Sequence, residues 1–448
     1  MQITEIELQN VQAFAEPVII RFAPMTLFYG PNSAGKSTVD DVFELLQELA
    51  THSEPSYDVL NRCKRRGGRI YGEVDNEMVV CIAITLSRYC NSDKYDLLKI
   101  VYSFQGCVNE EWNAATSRRL EIYANGQLSF SSDSSASCED LPASVQSLHR
   151  HAMEELGKSI DLATVTASRQ IPKANELVYF FDNGHLIAEP WLYQNDADFG
   201  LSKFNLPTAD GCSAYQDFAY ACSWLVDGNA HLQPLAEEEY LPFVENVQRT
   251  MLDHLFVDTG YRIDYEYRLI VSPENFAKIG TKSDDEWLKQ ICPMYLRLFL
   301  RDKNGVELNF TDVGSGLGYV LPVILAVWNP EKSAYIQQPE LHLHPALQSV
   351  LGDIFIDVLN VNLRQAFIET HSEHLLLRVL RRIRQTSSGS LLNQEYSFAA
   401  EQVAVNYFLP RGDGTTEVRL LRVSETGDFL DRWPNGFFAE RDEDLFSE

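Results

Sequence analysis

Several features that would assign the chain to a specialised class are missing from its sequence. No run of about 18 apolar residues occurs, so no membrane-spanning helix is predicted. The first residues show no basic segment followed by an apolar stretch, so we expect no secretory signal and a cytoplasmic location. The eight cysteines are scattered, without Cys-x-x-Cys pairs or histidines at metal-ligand spacing. Free thiols in a reducing compartment are therefore favoured over disulfides or zinc.

Positive charge is also scarce, because 37 Lys and Arg residues stand against 64 Asp and Glu residues, for a formal net charge of −27. Nucleic-acid binders displace counterions with cationic groups, so we expect nucleic acid to bind only through local patches. Two basic clusters occur, at Lys64, Arg65, Arg66 and Arg69 and at Arg378, Arg381, Arg382 and Arg384. On a helix the second cluster would lie opposite apolar residues, so a solvated helix face is the alternative interpretation.

The strongest positive signal lies at residues 30–37, Gly-Pro-Asn-Ser-Ala-Gly-Lys-Ser, which match the phosphate-binding pattern G-x-x-x-x-G-K-[ST]. An apolar run over Met25–Tyr29 predicts a preceding strand, and apolar residues at helical spacing over Val39–Leu49 predict a following helix. We predict that ATP binds here, with Lys36 on the β- and γ-phosphates and Ser37 on Mg²⁺. The predicted nucleotide-binding residues of this loop are Gly30, Pro31, Asn32, Ser33, Ala34, Gly35, Lys36, Ser37 and Thr38.

Strand patterns flank the loop in the first third of the chain. Two strands are predicted between Ile3 and Phe22. Runs of apolar residues separated by turn residues predict an antiparallel layer between residues 68 and 131. The serine-rich stretch Ser129–Ser137 is expected to be a flexible loop.

The second half also carries strand signals. Alternating apolar residues over Tyr295–Phe310 predict a hairpin with a type I′ turn at Asn304-Gly305. Short strands are predicted at Ala334–Ile336 and Ala366–Ile368, each followed by a polar cluster and a helix. Parallel strands with functional groups at their carboxyl ends are typical of an α/β nucleotide-binding core.

Four motifs stand in order along the chain: the phosphate loop, Val313–Gly316, Ile336–Pro345 and Ile368–Ser372. This order resembles the ABC-type ATPase heads of the SMC, RecF and OLD-nuclease group. The run Pro-Glu-Leu-His-Leu-His-Pro at 339–345 is most similar to bacterial AAA-family ATPases encoded with anti-phage defence systems. Residues 167–172 and the tail Asp-Arg-Trp-Pro-Asn-Gly-Phe-Phe at 431–438 also resemble segments of those proteins, whose C-terminal domain has no known function.

The resemblance implies a fold class and a division of the chain. The fold is expected to be α/β, a P-loop NTPase of the ABC-ATPase-head type with a mostly parallel core sheet, an antiparallel layer and an inserted mixed or helical subdomain. We expect the two halves of the head at 1–139 and 261–390, the insertion at 140–260 and an extension at 391–448. Helices are predicted at 214–226 and 237–256, and the absence of a heptad repeat there excludes a long coiled-coil arm.

Gly314, Ser315 and Gly316 precede an apolar helical run, so their backbone N–H groups and the Ser315 hydroxyl would be open to an anion. In the related heads such a segment contacts the γ-phosphate bound by a second subunit, which implies a homodimer or higher homo-oligomer with ATP sandwiched between heads. The alternative is a plain helix start at which Ser315 caps its own backbone.

His371 lies in Thr370-His371-Ser372-Glu373, a sequence that fits a capping box with Thr370 as the N-cap. The resemblance implies that His371 is a switch histidine that contacts the γ-phosphate. A purely structural histidine is the alternative, and the two interpretations are compatible.

The region after the predicted strand at Ile336 departs from the family pattern, because Gln337 and Gln338 stand where most related heads have two acidic residues. We assign Gln337 to Mg²⁺ together with Ser37, and Gln338 to orientation of the attacking water. Glu340 is the nearest carboxylate and the preferred catalytic residue, with an exposed structural Glu as the alternative. His342 and His344 are expected on an extended segment, where they shape a subunit contact more readily than a zinc site.

Two functions from different classes fit these residues. The first is an ATP-hydrolysing switch in a bacterial defence complex, and the second is a scaffold clamped by ATP without hydrolysis. A RecF-like repair ATPase is a third candidate, which the acidic composition disfavours. No acidic metal cluster of a fused nuclease follows His371, so any nuclease or toxin effector is expected to be a separate protein.

Overall fold

The computed structural model describes most of the chain, and two compact units emerge from its internal contacts. One unit comprises Met1–Leu162 with Phe355–Glu448, and the other comprises Ala163–Ile354. The described residues are 1–51, 62–63, 77–87, 95–107, 117–133, 143–167, 178–182, 185–186, 246–247, 249–250, 255, 260–269, 294–329, 332–362 and 364–434. The predicted helix at 214–226, most of that at 237–256 and the basic cluster at 64–69 lie outside these residues.

Strands predominate in the first third of the chain, and helices and strands alternate between Ser315 and Ser387. The strands are β1 (Gln2–Gln9), β2 (Val18–Arg21), β3 (Met25–Tyr29), β4 (Glu77–Ser87), β5 (Leu97–Cys107), β6 (Ser117–Ala124), β7 (Gln127–Asp133), β8 (Leu162–Val165), β9 (Val178–Asp182), β10 (His185–Leu186), β11 (Arg262–Leu269), β12 (Met294–Arg301), β13 (Glu307–Leu308), β14 (Ser333–Gln337), β15 (Ala366–Glu369), β16 (Val403–Pro410) and β17 (Thr416–Leu421). The helices are α1 (Thr38–Thr51), α2 (Ala143–Ser159), α3 (Ser315–Trp328), α4 (Pro345–Asn362) and α5 (Glu373–Ser387), with short 3₁₀ turns at Gln394–Tyr396 and Ala400–Gln402. In the part of the chain described here, no helix is long and apolar enough to cross a bilayer.

The first unit is built around β3, which pairs in parallel with β15 and with β16. All five residues of β3 are buried, as expected for a strand covered on both faces. The next element, α1, buries the apolar residues that predicted it, among them Val39, Phe43 and Leu46. The predicted strand, phosphate loop and helix are therefore confirmed as consecutive elements of an α/β P-loop fold.

A six-stranded antiparallel sheet in the order β2-β1-β4-β5-β6-β7 completes the first unit. It confirms the two predicted N-terminal strands and the antiparallel layer. The prediction of a flexible loop over Ser129–Ser137 is wrong at its start, because β7 continues to Asp133 through pairing with β6. Ser131 and Ser132 pair with Glu121 and Leu120 of β6, so they belong to a strand although a serine-rich composition is typical of loops.

Two buried amide side chains join this antiparallel sheet to the core strands. The Gln365 carbonyl oxygen accepts from Ile3 N at 2.8 Å, and its NH₂ group donates to Ile3 O at 2.8 Å and Ala23 O at 3.3 Å. The Asn406 side chain accepts from Arg21 N at 3.3 Å and donates to Arg21 O at 2.8 Å. Because buried polar groups are costly unless they are satisfied, these bonds fix which residues meet at the junction.

The second unit contains the antiparallel order β10-β9-β12-β11, with β13 paired to β12. The predicted hairpin is confirmed by the partners Leu300 and Leu308, but the predicted type I′ turn is wrong. That turn needs positive φ at both central residues, and here only Gly305 has it, at +82°. Asp302 accounts for the difference, because its carboxylate accepts from Asn304 N and Val306 N at 2.9 and 2.7 Å and holds another turn geometry.

Candidate nucleotide site

The loop between β3 and α1 has the backbone conformation of a phosphate cradle. Gly30, Ser33 and Gly35 have φ angles of +142°, +63° and +85°. A Cβ on Gly30 would stand 2.4 Å from the carbonyl oxygen of Phe408 on the adjacent strand β16. Glycine is therefore required at position 30 by its own conformation and by the closeness of the neighbouring strand.

The ammonium group of Lys36 lies inside this loop. Its Nζ donates to Gly30 O at 3.0 Å and Pro31 O at 2.9 Å, and the residue is only 7% exposed. Burial lowers the pKa of Lys36, and the carboxylate of Glu369 opposes that shift. The loop therefore encloses this cation with its own carbonyl oxygens.

Glu369 stands next to the loop and was missed by the sequence analysis. It is the last residue of β15, is 5% exposed and pairs in register with Phe28 of β3. The Ser37 hydroxyl donates to Glu369 Oε2 over 3.4 Å. The sequence signal that could have indicated Glu369 is a carboxylate at the end of the otherwise apolar strand Ala-Phe-Ile-Glu. A charged residue in a buried strand suggests a functional role, because burial of an unpaired charge is costly.

Asp40, in the first turn of α1, is a second acidic group near this loop that the sequence analysis did not single out. Burial raises the pKa of its carboxyl group to about 7. The nearby charges of Glu369, Asp41 and Glu44 add to the rise, and that of Arg62 opposes it. The site therefore concentrates negative charge beside the predicted Mg²⁺ ligand Ser37.

Replacing Asp40 by Asn should stabilise the protein without nucleotide. A raised folded-state pKa means that Asp40 costs no stability below its unfolded pKa near 3.8 and costs the full amount above about 7. We expect the free energy of unfolding to rise by on the order of 2 kcal/mol at pH 8. Thermal melts in EDTA at pH 8 and pH 5 measure it, and an equal effect at both pH values would contradict the assignment.

The segment after β15 starts α5 two residues later than predicted. The N-cap is Ser372, whose side chain accepts from Leu375 N at 3.1 Å, and Thr370 Oγ1 instead accepts from Ser372 N at 3.0 Å. The predicted capping box with Thr370 as N-cap is therefore wrong. The hydroxyls of Thr370 and Ser372 each hold a backbone N–H, so they fix the chain on both sides of His371.

His371 belongs to the same unit as the loop. Burial lowers its pKa, and the positive charge of Lys36 lowers it further. Its imidazole is therefore neutral at pH 7, a form that carries one N–H donor. The electrostatic influence of Lys36 on His371 indicates that the unit brings Lys36, Ser37, Glu369 and His371 into one neighbourhood.

The tail motif packs against the residues that carry this site. The Trp433 ring lies edge-on to those of Tyr29, Tyr407 and Phe429, with centroids 5.6, 5.9 and 5.1 Å away. Tyr29 directly precedes Gly30, and its hydroxyl donates to Ser372 O at 2.9 Å. The tail is thus packed against the residue that links the loop to the His371 segment, while residues 435–438 of the motif lie outside the described chain.

The predicted γ-phosphate segment lies in the second unit at the start of α3. Gly314 is the N-cap and makes no side-chain cap hydrogen bond, and Ser315 is exposed as the first helical residue. The alternative in which Ser315 caps its own backbone is therefore not what the helix adopts. A Cβ on Gly316 would come within 3.3 Å of His342 O, so the small residue permits close packing of the following loop.

The other predicted catalytic residues follow β14, also in the second unit. The Gln337 amide oxygen accepts a hydrogen bond from Ala167 N at 3.1 Å, and Gln338 has a φ angle of +47°. Glu340 is half-buried, and its backbone carbonyl accepts from Leu343 N at 3.0 Å to close a turn. Gln337, Gln338, Glu340 and Ser315 all belong to this second unit. Their catalytic and metal roles stay predictions.

The prediction of an extended segment for His342 and His344 is wrong. His342 has φ +62° and stacks on Tyr319 with ring centroids 4.3 Å apart. His344 Nδ1 accepts from Ala346 N at 3.2 Å, at the beginning of α4. Within the described ranges, no group of three or more His, Cys, Asp or Glu side chains could hold a metal ion.

The second basic cluster lies on α5, opposite the buried residues Leu376, Val379, Leu380 and Ile383. Arg384 donates to Thr426 O and Gly427 O and pairs with Asp428, and Arg382 stacks on the Tyr396 ring at 4.8 Å. At least these two arginines therefore have intrachain partners, which favours the solvated structural face over a nucleic-acid patch.

Comparisons with known proteins match this chain to ATPase domains. Residues 230–376, less than half of the chain, match the model of a family described as an AAA ATPase domain. That range contains the 314–316 segment, the residues after β14 and His371, and it agrees with the AAA-family part of the resemblance. No curated protein matches the chain.

Solved structures similar to the chain include three SMC heads. An SMC head bound to the C-winged helix domain of ScpA has 12% identity and a TM-score of 0.48, over 95% of this chain and 99% of that one. A head domain from Thermotoga maritima has 11% identity and a TM-score of 0.40, over 94% and 100%. An SMC head with an extended coiled coil, bound to the C-terminal domain of ScpA and derived from Pyrococcus furiosus, has 12% identity and a TM-score of 0.45. The match covers 94% of this chain and 96% of that one.

Proposed function

We propose that the protein binds ATP in the loop between β3 and α1 and hydrolyses it. The observation that carries this proposal is the loop itself, in which a complete phosphate-binding sequence adopts positive φ at Gly30 and Gly35 and encloses the Lys36 ammonium. Equilibrium binding of a fluorescent ATP analogue and phosphate release by the purified protein test it. Binding without release would favour the scaffold clamped by ATP.

The loop residues fit a Mg²⁺ ion that accompanies the nucleotide, because the exposed Ser37 hydroxyl is a hard oxygen donor at the end of the loop. When bound, Mg²⁺ neutralises charge on the β- and γ-phosphates. Lys36 holds those phosphates, and neutral His371 donates a hydrogen bond to the γ-phosphate. Gln338 orients the attacking water and Glu340 accepts its proton, as proposed from the resemblance.

The proposed active assembly contains two chains, each supplying Lys36 to one ATP and Ser315 to the other. The exposed, uncapped start of α3 supports this arrangement, because its N–H groups are open to an anion from outside the chain. We further propose that the dimer is a switch in a defence complex with a separate nuclease or toxin. We also propose the division of the chain into two halves of the head at 1–139 and 261–390, an insertion at 140–260 and an extension at 391–448. Co-purification from the host tests the effector.

Mixing two inactive variants should restore ATPase activity if the sandwich forms. Ser315→Arg blocks the γ-phosphate contact and Lys36→Met removes loop binding, but a mixed dimer keeps one wholly intact site. Random pairing makes half of the dimers mixed, so we expect roughly a quarter of the parental rate. Phosphate release from the mixture measures it, and Ser390→Arg, an exposed serine in the other unit, is the matched control.

The mixture also needs a measurement that does not require turnover, because hydrolysis could depend on two intact sites. ATP-dependent association followed by light scattering supplies it. Without recovered activity or association, and with a parent that stays monomeric in ATP, the sandwich would be wrong.

A further inference from the structure

We propose that Glu369 supplies the protein carboxylate for the Mg²⁺ ion that accompanies ATP, together with the Ser37 hydroxyl. This inference rests on the proposed function, since it assigns a residue to the nucleotide site. It moves the acidic role from the segment after β14, where related heads carry it, to the carboxyl end of β15. Nothing in the sequence pattern alone assigned Glu369 to the site.

The distance between the two side chains suits a shared metal ion. Mg²⁺ binds oxygen in octahedral geometry at about 2.1 Å, so adjacent ligand oxygens lie about 3 Å apart. Ser37 Oγ and Glu369 Oε2 are 3.4 Å apart, so a movement of a few tenths of an ångström brings them to that separation. The exposed Ser37 can rotate, and the nucleotide phosphates would complete the coordination.

The backbone fixes the position of this carboxylate. Glu369 aligns with Phe28 in the parallel pairing of β15 and β3, two residues before the loop begins at Gly30. It is 5% exposed, and a buried carboxylate is retained only where a cation or hydrogen bonds stabilise its charge. Its partners include the Ser37 hydroxyl and the charge of Lys36, both from residues of the phosphate loop.

The residue expected from the resemblance is less suited to the ion. The Gln337 amide oxygen already accepts a hydrogen bond from Ala167 N at 3.1 Å, and an amide carries no negative charge. Mg²⁺ is usually bound through one or two carboxylates together with substrate phosphates. Glu369 therefore meets a chemical requirement that Gln337 and Gln338 do not.

Glu369→Gln tests the assignment because it keeps the shape and the acceptor for Ser37 while it removes the charge. We would measure ATP affinity by calorimetry with Mg²⁺ and with EDTA, for the parent, Glu369→Gln and the control Glu425→Gln, which changes an exposed carboxylate. The gain in affinity from Mg²⁺ should fall by at least roughly tenfold in Glu369→Gln. Affinity in EDTA should stay equal or improve, and Glu425→Gln should keep the parental gain.

The outcomes separate this inference from the proposed function. An unchanged Mg²⁺ gain in Glu369→Gln overturns the inference, even if hydrolysis is lost, since that result would make Glu369 a proton acceptor. A parent that binds no ATP overturns the proposed function instead. If the variant fails to fold, Fe²⁺ replaces Mg²⁺ in the parent with ATP, ascorbate and peroxide. Backbone cleavage at 366–370 supports the inference, and cleavage confined to 337–340 contradicts it.

Discussion

Lys36→Met should reduce ATP affinity by on the order of 100-fold while the fold is retained. The Lys36 ammonium lies inside the phosphate loop, and it is the loop cation that we propose for the β- and γ-phosphates. Methionine keeps the unbranched apolar stem that fills this buried position. Equilibrium binding of a fluorescent ATP analogue measures the loss, and circular dichroism melts report on the fold.

Lys158→Met is the matched control for this experiment. The Lys158 side chain is 69% exposed at the end of α2 and forms a surface ion pair with Glu155 at 3.5 Å. Removal of its charge should therefore change the stability of the protein little. It should bind ATP as the parent does. If Lys36→Met also binds normally, the loop is not the nucleotide site and the proposed function fails.

Gly30→Ala should lower both stability and ATP binding. Alanine cannot adopt φ +142° without strain, and its Cβ would meet the Phe408 carbonyl oxygen of β16 at 2.4 Å. Because that atom belongs to a strand backbone, relief requires β3 and β16 to separate. We expect a cost of about 3 kcal/mol or more, seen as a melting temperature lower by on the order of 5–10 °C.

Gly414→Ala distinguishes backbone strain from the clash. Gly414 also has positive φ, at +81°, but a Cβ there would find nothing within 4 Å. The substitution should cost only about 1 kcal/mol and leave ATP affinity unchanged. Equal losses in the two variants would mean that the contact between Gly30 and Phe408 does not constrain the loop.

Local patterns predicted the elements of the site better than its contacts. The five apolar residues of β3, the glycine loop and the apolar positions of α1 follow from periodicity and turn chemistry, and all three elements formed as predicted. The strands β14 and β15 were found in the same way, but β14 extends one residue further at each end and β15 one residue further at its carboxyl end. These features depend on residues adjacent in sequence, which is why pattern analysis reaches them.

The contacts that the sequence did not reveal depend on pairing across the chain. Glu369 reaches Ser37 because β15 aligns with β3, although 332 positions separate the two residues. The shift of the N-cap from Thr370 to Ser372 depends on two competing hydroxyl groups, each able to hold a backbone N–H. His342 has a positive φ angle and its ring contacts that of Tyr319. The alternation of His342 and His344 in the sequence cannot indicate this contact.

The amide side chains of Gln365 and Asn406 give the junction between the two sheets a chemical property that the nucleotide site lacks. Neither amide gains or loses a proton at any pH a cell meets, so their bonds to Ile3, Ala23 and Arg21 are the same in acid and in base. Asp40, whose pKa burial raises to about 7, changes charge near neutrality. Mild acid therefore alters the charge around the phosphates while the joint that aligns the strands stays as it was.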